Sequence, residues 1–133
     1  MSSEWKDYQR DLREQFNANT EELNNLPEGW VNAFVPQMKD ELFNVLGSYA
    51  EDFCVTEAKE KWSSMRVYWN WVERKRCEHE MHDLDELTSD VEKIITKYTD
   101  ISFKTCMVCG DDADSYTRGY IVPVCEDCAA QVE

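Results

Sequence analysis

Cys106-Met107-Val108-Cys109-Gly110 and, after fifteen intervening residues, Cys125-Glu126-Asp127-Cys128 are the stretch on which the fold of this chain turns. Each Cys-x-x-Cys turn points two sulfurs the same way, and two such turns facing each other supply four thiolates. Zinc takes four soft ligands in a tetrahedron, with Zn–S near about 2.3 Å. Gly110 follows the first pair, where a tight turn often needs φ > 0. The spacing is a zinc signature, so Cys106, Cys109, Cys125 and Cys128 are expected to hold one Zn²⁺. The competing chemistry is a pair of redox dithiols or disulfides. Redox Cys-x-x-Cys motifs normally stand singly beside a βαβ pattern, and the sequence has none. Residues 116–124 read as a short hairpin bending near Gly119, and residues 125–132 as the start of a short helix. A knuckle, a hairpin and a helix-borne second pair suggest a treble clef, with a plain zinc ribbon as the alternative.

Upstream of the cysteines the hydrophobic period changes twice. Trp5, Tyr8, Leu12 and Phe16 recur at three- and four-residue steps and predict a helix over 3–17. Residues 17–27 read as a polar connection with a short turn at 21–23. Phe34, Val35, Met38, Leu42, Val45, Leu46 and Tyr49 form a broad stripe, predicting one buried helix over 30–49. Gly47 loosens its last turn or ends it. Phe53 and Val55, then Met65, Val67, Trp69 and Trp71, alternate with polar residues, the period of strands. They predict a hairpin, 53–60 and 65–71, turning near residues 62–64 with Arg66, Tyr68 and Asn70 on its other face. Residues 73–82 read as a charged connector. The next helix is expected to begin near Asp83 or Ser89, because Asp83 with Glu86 and Ser89 with Glu92 both fit a capping box. Leu84, Leu87, Val91, Ile94, Ile95 and Tyr98 make its apolar stripe. The expected fold class is α+β: helices packed on a small antiparallel hairpin over 1–100, followed by a zinc module over 101–133.

The chain has 133 residues, room for one modest core plus a metal module. No apolar run approaches the roughly 20 residues that span a bilayer, and the first residues lack the apolar segment of a secretory signal. A reducing cytoplasm is the expected location, and six cysteines there favour metal over disulfides. The net charge is −14. It is unevenly placed: −8 over residues 1–60, +4 over 61–76, −6 over 77–100 and −4 over 101–133. Phosphate backbones are repelled by most of that surface, so direct nucleic-acid binding is not expected and basic protein surfaces are the expected partners.

Glu57-Ala58-Lys59-Glu60-Lys61-Trp62-Ser63-Ser64-Met65-Arg66-Val67-Tyr68 resembles a motif of small phage and prophage proteins, whose usual form is Lys-Glu-Lys-Phe-Gly-x-Leu-Arg-x-Tyr. In those proteins a helix follows, then a Ser-x-x-x-Cys-x-x-Cys-Gly knuckle and a second Cys pair or Cys-x-x-His. Ser102 to Gly110 fits the knuckle, Gly119-Tyr120 and Cys125 to Cys128 fit the closing part, and Gly29-Trp30 fits the preceding helix. The match spans roughly residues 29–130. Trp62 for Phe, Ser63 for Gly, Met65 for Leu and the Cys/His-rich connector depart from it. The resemblance implies a phage origin and zinc, and little mechanism. By analogy, small acidic metal-binding phage proteins also resemble anti-CRISPR inhibitors.

Two further clusters carry chemistry. Cys77, His79 and His82 lie together in the connector, and with Cys54 they could form a second, Cys₂His₂ metal site. The alternative is a solvated connector and a buried free cysteine. His79-Glu80-Met81-His82 is one residue short of the His-Glu-x-x-His metalloprotease motif and has no third ligand, so hydrolysis is not expected. Lys61, Arg66, Arg74, Lys75 and Arg76 lie among Trp62, Tyr68, Trp69 and Trp71, an arrangement that can bind single strands by stacking. The alternative is that the tryptophans are core and the cations are paired with acids. No nucleophile–base pair, phosphate loop or open metal position is present, so no enzyme is expected. The leading functional expectation is a phage-type inhibitor of a host defence protein. A CRISPR effector nuclease with basic channels would be met by acids such as Asp83, Asp85 and Glu86. A zinc-containing nucleic-acid-binding accessory or regulatory protein, or an assembly adaptor, would use the same chain differently.

Overall fold

The computed structural model describes residues 3–62, 64–111, 115–116, 123–125 and 128. The fold is α+β. Helix α1 (Ser3–Asn19) leads through a 3₁₀ turn (Glu21–Asn25) to α2 (Glu28–Ala33) and α3 (Val35–Leu46). A second 3₁₀ segment (Gly47–Asp52) feeds the hairpin β1 (Phe53–Lys61) and β2 (Ser64–Trp71). The long helix α4 (Glu78–Ser102) follows, and the short strands β3 (Ser115–Tyr116) and β4 (Pro123–Val124) pair antiparallel beyond it.

The expected single helix over 30–49 is two helices. Phe34 leaves helical geometry at φ −140°, and Pro36 stands in the first turn of α3. Proline lacks an N–H and clashes with the preceding turn, so it is tolerated at a helix start and not inside one. The break turns Trp30 and Phe34 into the same core as Met38, Leu42 and Leu46. The connection expected to be polar also contributes to that core: Leu23 and Leu26 are buried in it. In α1 only half of the expected stripe is core. Leu12 and Phe16 are buried, whereas Trp5 and Tyr8 are 48% and 46% exposed.

The hairpin is present with the expected alternation on β2: Met65, Val67, Trp69 and Trp71 face the core, and Arg66, Tyr68 and Asn70 face out. A bulge between Val55 and Glu57 shifts the register of β1 and brings Ala58 to the inner face. Trp62 occupies the turn at φ +54°, and its side chain is 71% exposed. Strand β2 runs antiparallel along α4. The indole of Trp71 donates to Thr88 Oγ1 at 3.0 Å, that of Trp69 to Glu92 at 3.0 Å, and the Met65 N–H to Ser102 Oγ at 2.9 Å. Helix α4 packs on its other side against α3.

Helix α4 begins at Glu78, inside the segment expected to be a connector. Cys77 is its N-cap: the side chain accepts the N–H of Glu80, and the Glu80 carboxylate accepts the Cys77 N–H. This is a capping box with a thiol in place of the usual hydroxyl, which is why Ser- and Asp-based signals pointed further along. Arg74 and Arg76 fold back beneath it. Arg74 makes a two-pronged pair with the buried Asp52, at 3.1 and 2.9 Å, and a third bond to Glu80 at 2.8 Å. Those carboxylates raise the Arg74 pKa above its ordinary value. Arg76 adds a long contact to Asp52 at 3.9 Å and donates to the Val72 carbonyl.

Candidate metal centre

The first cysteine pair is built on backbone contacts with α2. The Gly110 N–H donates to the Cys106 carbonyl at 2.9 Å and the Cys106 N–H to the Asp111 carbonyl at 2.7 Å, closing the knuckle. Gly110 sits at φ +87°, the conformation that the turn requires. The knuckle rests on Gly29: the Gly29 N–H donates to the Met107 carbonyl at 3.0 Å. A Cβ added at Gly29 would lie 2.3 Å from the Cys106 carbonyl oxygen and 2.7 Å from the Gly110 nitrogen. Beside it, the fully buried Trp30 donates its indole N–H to the Thr105 carbonyl at 2.9 Å. Met107 packs against both the cysteines and the main core. Helix α4 runs to Ser102, two residues past the boundary expected at residue 100.

The β3–β4 ladder, Ser115 with Val124 and Tyr116 with Pro123, is the stem of the expected hairpin. Its bend at Gly119, most of the expected helix over 125–132 and the choice between treble clef and ribbon lie outside the described residues. The stem returns the chain so that Cys125 Sγ is 3.5 Å from Cys109 Sγ. The ligand atoms of Cys106, Cys109, Cys125 and Cys128 all lie within 4.8 Å of one another. Four sulfurs around one centre at about 2.3 Å are spaced about 3.8 Å apart, so the donor set fits a tetrahedral ion. Cys106, Cys125 and Cys128 are buried and Cys109 is exposed.

The electrostatics suit anionic sulfur at Cys106. Burial alone would push its thiol up, but the N–H groups of Cys109, Cys125 and Val108 aim at the sulfur and hold it down at about 6. Val108 N lies 3.4 Å from it. Cys128 is pushed up by its contact with Cys125 and by burial. Four thiols packed together resist simultaneous ionisation, and a bound cation removes that conflict. The four-cysteine group can therefore hold a metal ion, and full thiolate coordination leaves no open position on it.

The second expected site is not assembled. Among the described residues the four cysteines are the only group of three or more potential ligands brought together. Cys54 is half-buried in β1, near the Val55 carbonyl. Cys77 is occupied as the cap of α4. His79 and His82 project from the exposed side of that helix, each 3.5 Å from the carboxylate four residues on, Asp83 and Glu86 respectively. The early start of α4 is the physical reason: it turns a flexible cluster into helical positions with separate neighbours.

The three acids expected to meet a partner are split. Asp83 accepts the Tyr49 hydroxyl at 2.9 Å, and that bond raises the Tyr49 pKa. Asp83 and Glu86 share one side of α4, where they line a cleft with Asp90, whereas Asp85 lies on another side beside Trp71, Arg76 and Met81. Gly47 ends α3 as the sequence suggested, whereas the contacts of Gly29 and the place of Asp90 in the cleft were missed. Only the Gly29-Trp30 pair carried a signal, because a glycine at a helix start beside a buried tryptophan marks a close approach. No helix among the described residues is long and apolar enough to cross a membrane. No family model, curated protein or solved structure matches the chain.

Proposed function

We propose that this chain is a small, acidic, phage-type zinc protein that works by binding and inhibiting a basic host protein in the cytoplasm. A CRISPR effector nuclease whose target-DNA channel it would block is the concrete candidate. One observation carries the reading: the charges are sorted. Arg74 and Arg76, the centre of the basic segment, are spent on the buried Asp52, while Asp85 and Glu86 stand exposed on α4. The remaining field is strongly negative and complements a channel built for phosphates. Zinc, held by the four thiolates, serves as a staple and not as a catalyst, and the four-cysteine arrangement supports that role.

The alternative, a nucleic-acid-binding accessory protein, is favoured by one feature. Trp62 is exposed at the hairpin tip next to Lys61, and a basic pair, Lys59 opposite Arg66, lies two positions further down the strands. A gel-shift series with free DNA at physiological salt, beside a DNA-loading assay of a CRISPR nuclease, separates the two. The inhibitor reading expects no shift and a loss of loading that weakens with salt, since the Debye length falls from about 10 Å at 0.1 M to about 3 Å at 1 M. Micromolar DNA binding that is lost in Trp62→Ala would replace it with the accessory reading.

A further inference from the structure

Two clefts meet at Gly47 and Ser48, where α3 ends. One, of about 360 Å³, is floored by Val45 and Leu87 and rimmed by Asp83, Glu86 and Asp90 of α4. The other, of about 370 Å³, lies between α1 and α3 and is lined by Trp5, Tyr8, Leu12 and Phe43. Trp5 and Tyr8 are stacked at 6.0 Å between ring centroids, yet about half of each stays exposed. No basic residue occupies the last turn of α3, so nothing on that turn offsets the partial negative charge of the helix end between the clefts. Gly47 itself is exposed, and the space around its Cα is open.

We infer that these clefts form one docking groove for a basic protein segment. An arginine or lysine side chain enters the acidic half, and an adjacent aliphatic or aromatic side chain seats on Trp5 and Tyr8. Charge complementarity selects the occupant. Three carboxylates and a helix C-terminus converge on the first cleft, and its apolar floor suits the methylene stem of a long cation. The second cleft offers the exposed aromatic anchors that dominate binding energy at protein interfaces. A second copy of this chain is a poor occupant, because its own charge of −14 opposes it. The inference rests on the proposal that the partner is basic, and it locates where that partner binds.

The test is an NMR titration of the isotope-labelled, metal-loaded protein with an acetylated, amidated peptide of alternating arginine and leucine. Two control peptides replace arginine by glutamate or leucine by glycine. Shift changes centred on Tyr8, Gly47, Ser48, Glu86 and Asp90 are expected. Trp5→Ala and Glu86→Gln, both at exposed side chains, should each weaken binding by about tenfold. Shifts confined to another face would overturn the groove and leave the basic-partner proposal standing. No binding of the arginine peptide anywhere would overturn both. Equal binding of the glutamate peptide, or of the glycine peptide, would remove the acidic or the aromatic half respectively and with it the composite groove. Concentration-dependent shifts of these residues without peptide would assign the groove to self-association and overturn the inference.

Discussion

Gly29→Ala sets two ordinary effects against each other. Alanine is preferred over glycine inside a helix by about 1 kcal/mol, so α2 alone would be strengthened. The same methyl would stand 2.3 Å from the Cys106 carbonyl oxygen and 2.7 Å from the Met107 carbonyl carbon, both backbone atoms. The chain then has two ways out. Keeping the contact forces overpacking, at a cost of about 1–3 kcal/mol. Lifting the knuckle breaks the Gly29–Met107 hydrogen bond, worth about 1 kcal/mol, and leaves the buried Trp30 indole without an acceptor for about 1–3 more. After the helix gain is subtracted, about 0–2 kcal/mol is lost on the first route and about 1–3 on the second, so a net loss of about 1–2 kcal/mol is expected, or roughly 3–10 °C in Tm for a domain of this size. Asn32→Ala, on the exposed side of the same helix, should change stability by no more than about 0.5 kcal/mol. Thermal unfolding followed by circular dichroism and tryptophan emission reads both, and transfer of metal to a chromogenic chelator should be faster in Gly29→Ala. A Gly29→Ala protein at least as stable as the parent, with unchanged metal transfer, would refute the direct backbone contact.

Elemental analysis should find one metal ion per chain, none in Cys109→Ser, and still one in the His79→Ala/His82→Ala double variant; two ions in the parent would contradict the separation of Cys54, Cys77, His79 and His82. Burial and the Glu41 carboxylate push Tyr98 up to about 12, so its contribution to stability is complete below the ordinary tyrosine value near 10 and is lost as pH rises through about 12. Tyr98→Phe should remove that alkaline step from the unfolding profile, and an unchanged profile would show that another group causes it. Asp52→Asn breaks the anchor of Arg74 and should lower the Tm by several degrees, whereas Lys75→Ala, on an exposed side chain, should leave it unchanged in the same melt.

The α+β class, the hairpin and the cysteine quartet were legible because each rests on strict spacing: period two in β2, and two Cys-x-x-Cys pairs. What escaped depended on single residues that override a pattern. Pro36 splits a stripe whose spacing reads as continuous over residues 30–49. Cys77 caps α4 although thiols are rare caps, and that one substitution moved the helix start by several residues and dissolved the second metal site. Trp5 and Tyr8 continue the stripe of Leu12 and Phe16 but run past the edge of the core, since periodicity gives a face and not what covers it. Gly29 shows only as a glycine beside Trp30 near a helix start. Its role is set by a knuckle distant in the chain, and one sequence does not display such pairings.

The indole of Trp30 and its acceptor on Thr105 are seventy-five residues apart. During synthesis at about 5–20 residues per second, that separation corresponds to roughly 4–15 s. For that interval the nascent chain carries the largest buried side chain of the protein without the backbone that covers it. The segment that completes the packing is also the one that gathers the thiolates, and it is made well after Trp30. Metal capture by those four cysteines would therefore follow the synthesis of the helices. A ribosome-bound chain truncated before Cys106 should remain open to chaperones and proteases, however well its helices have formed.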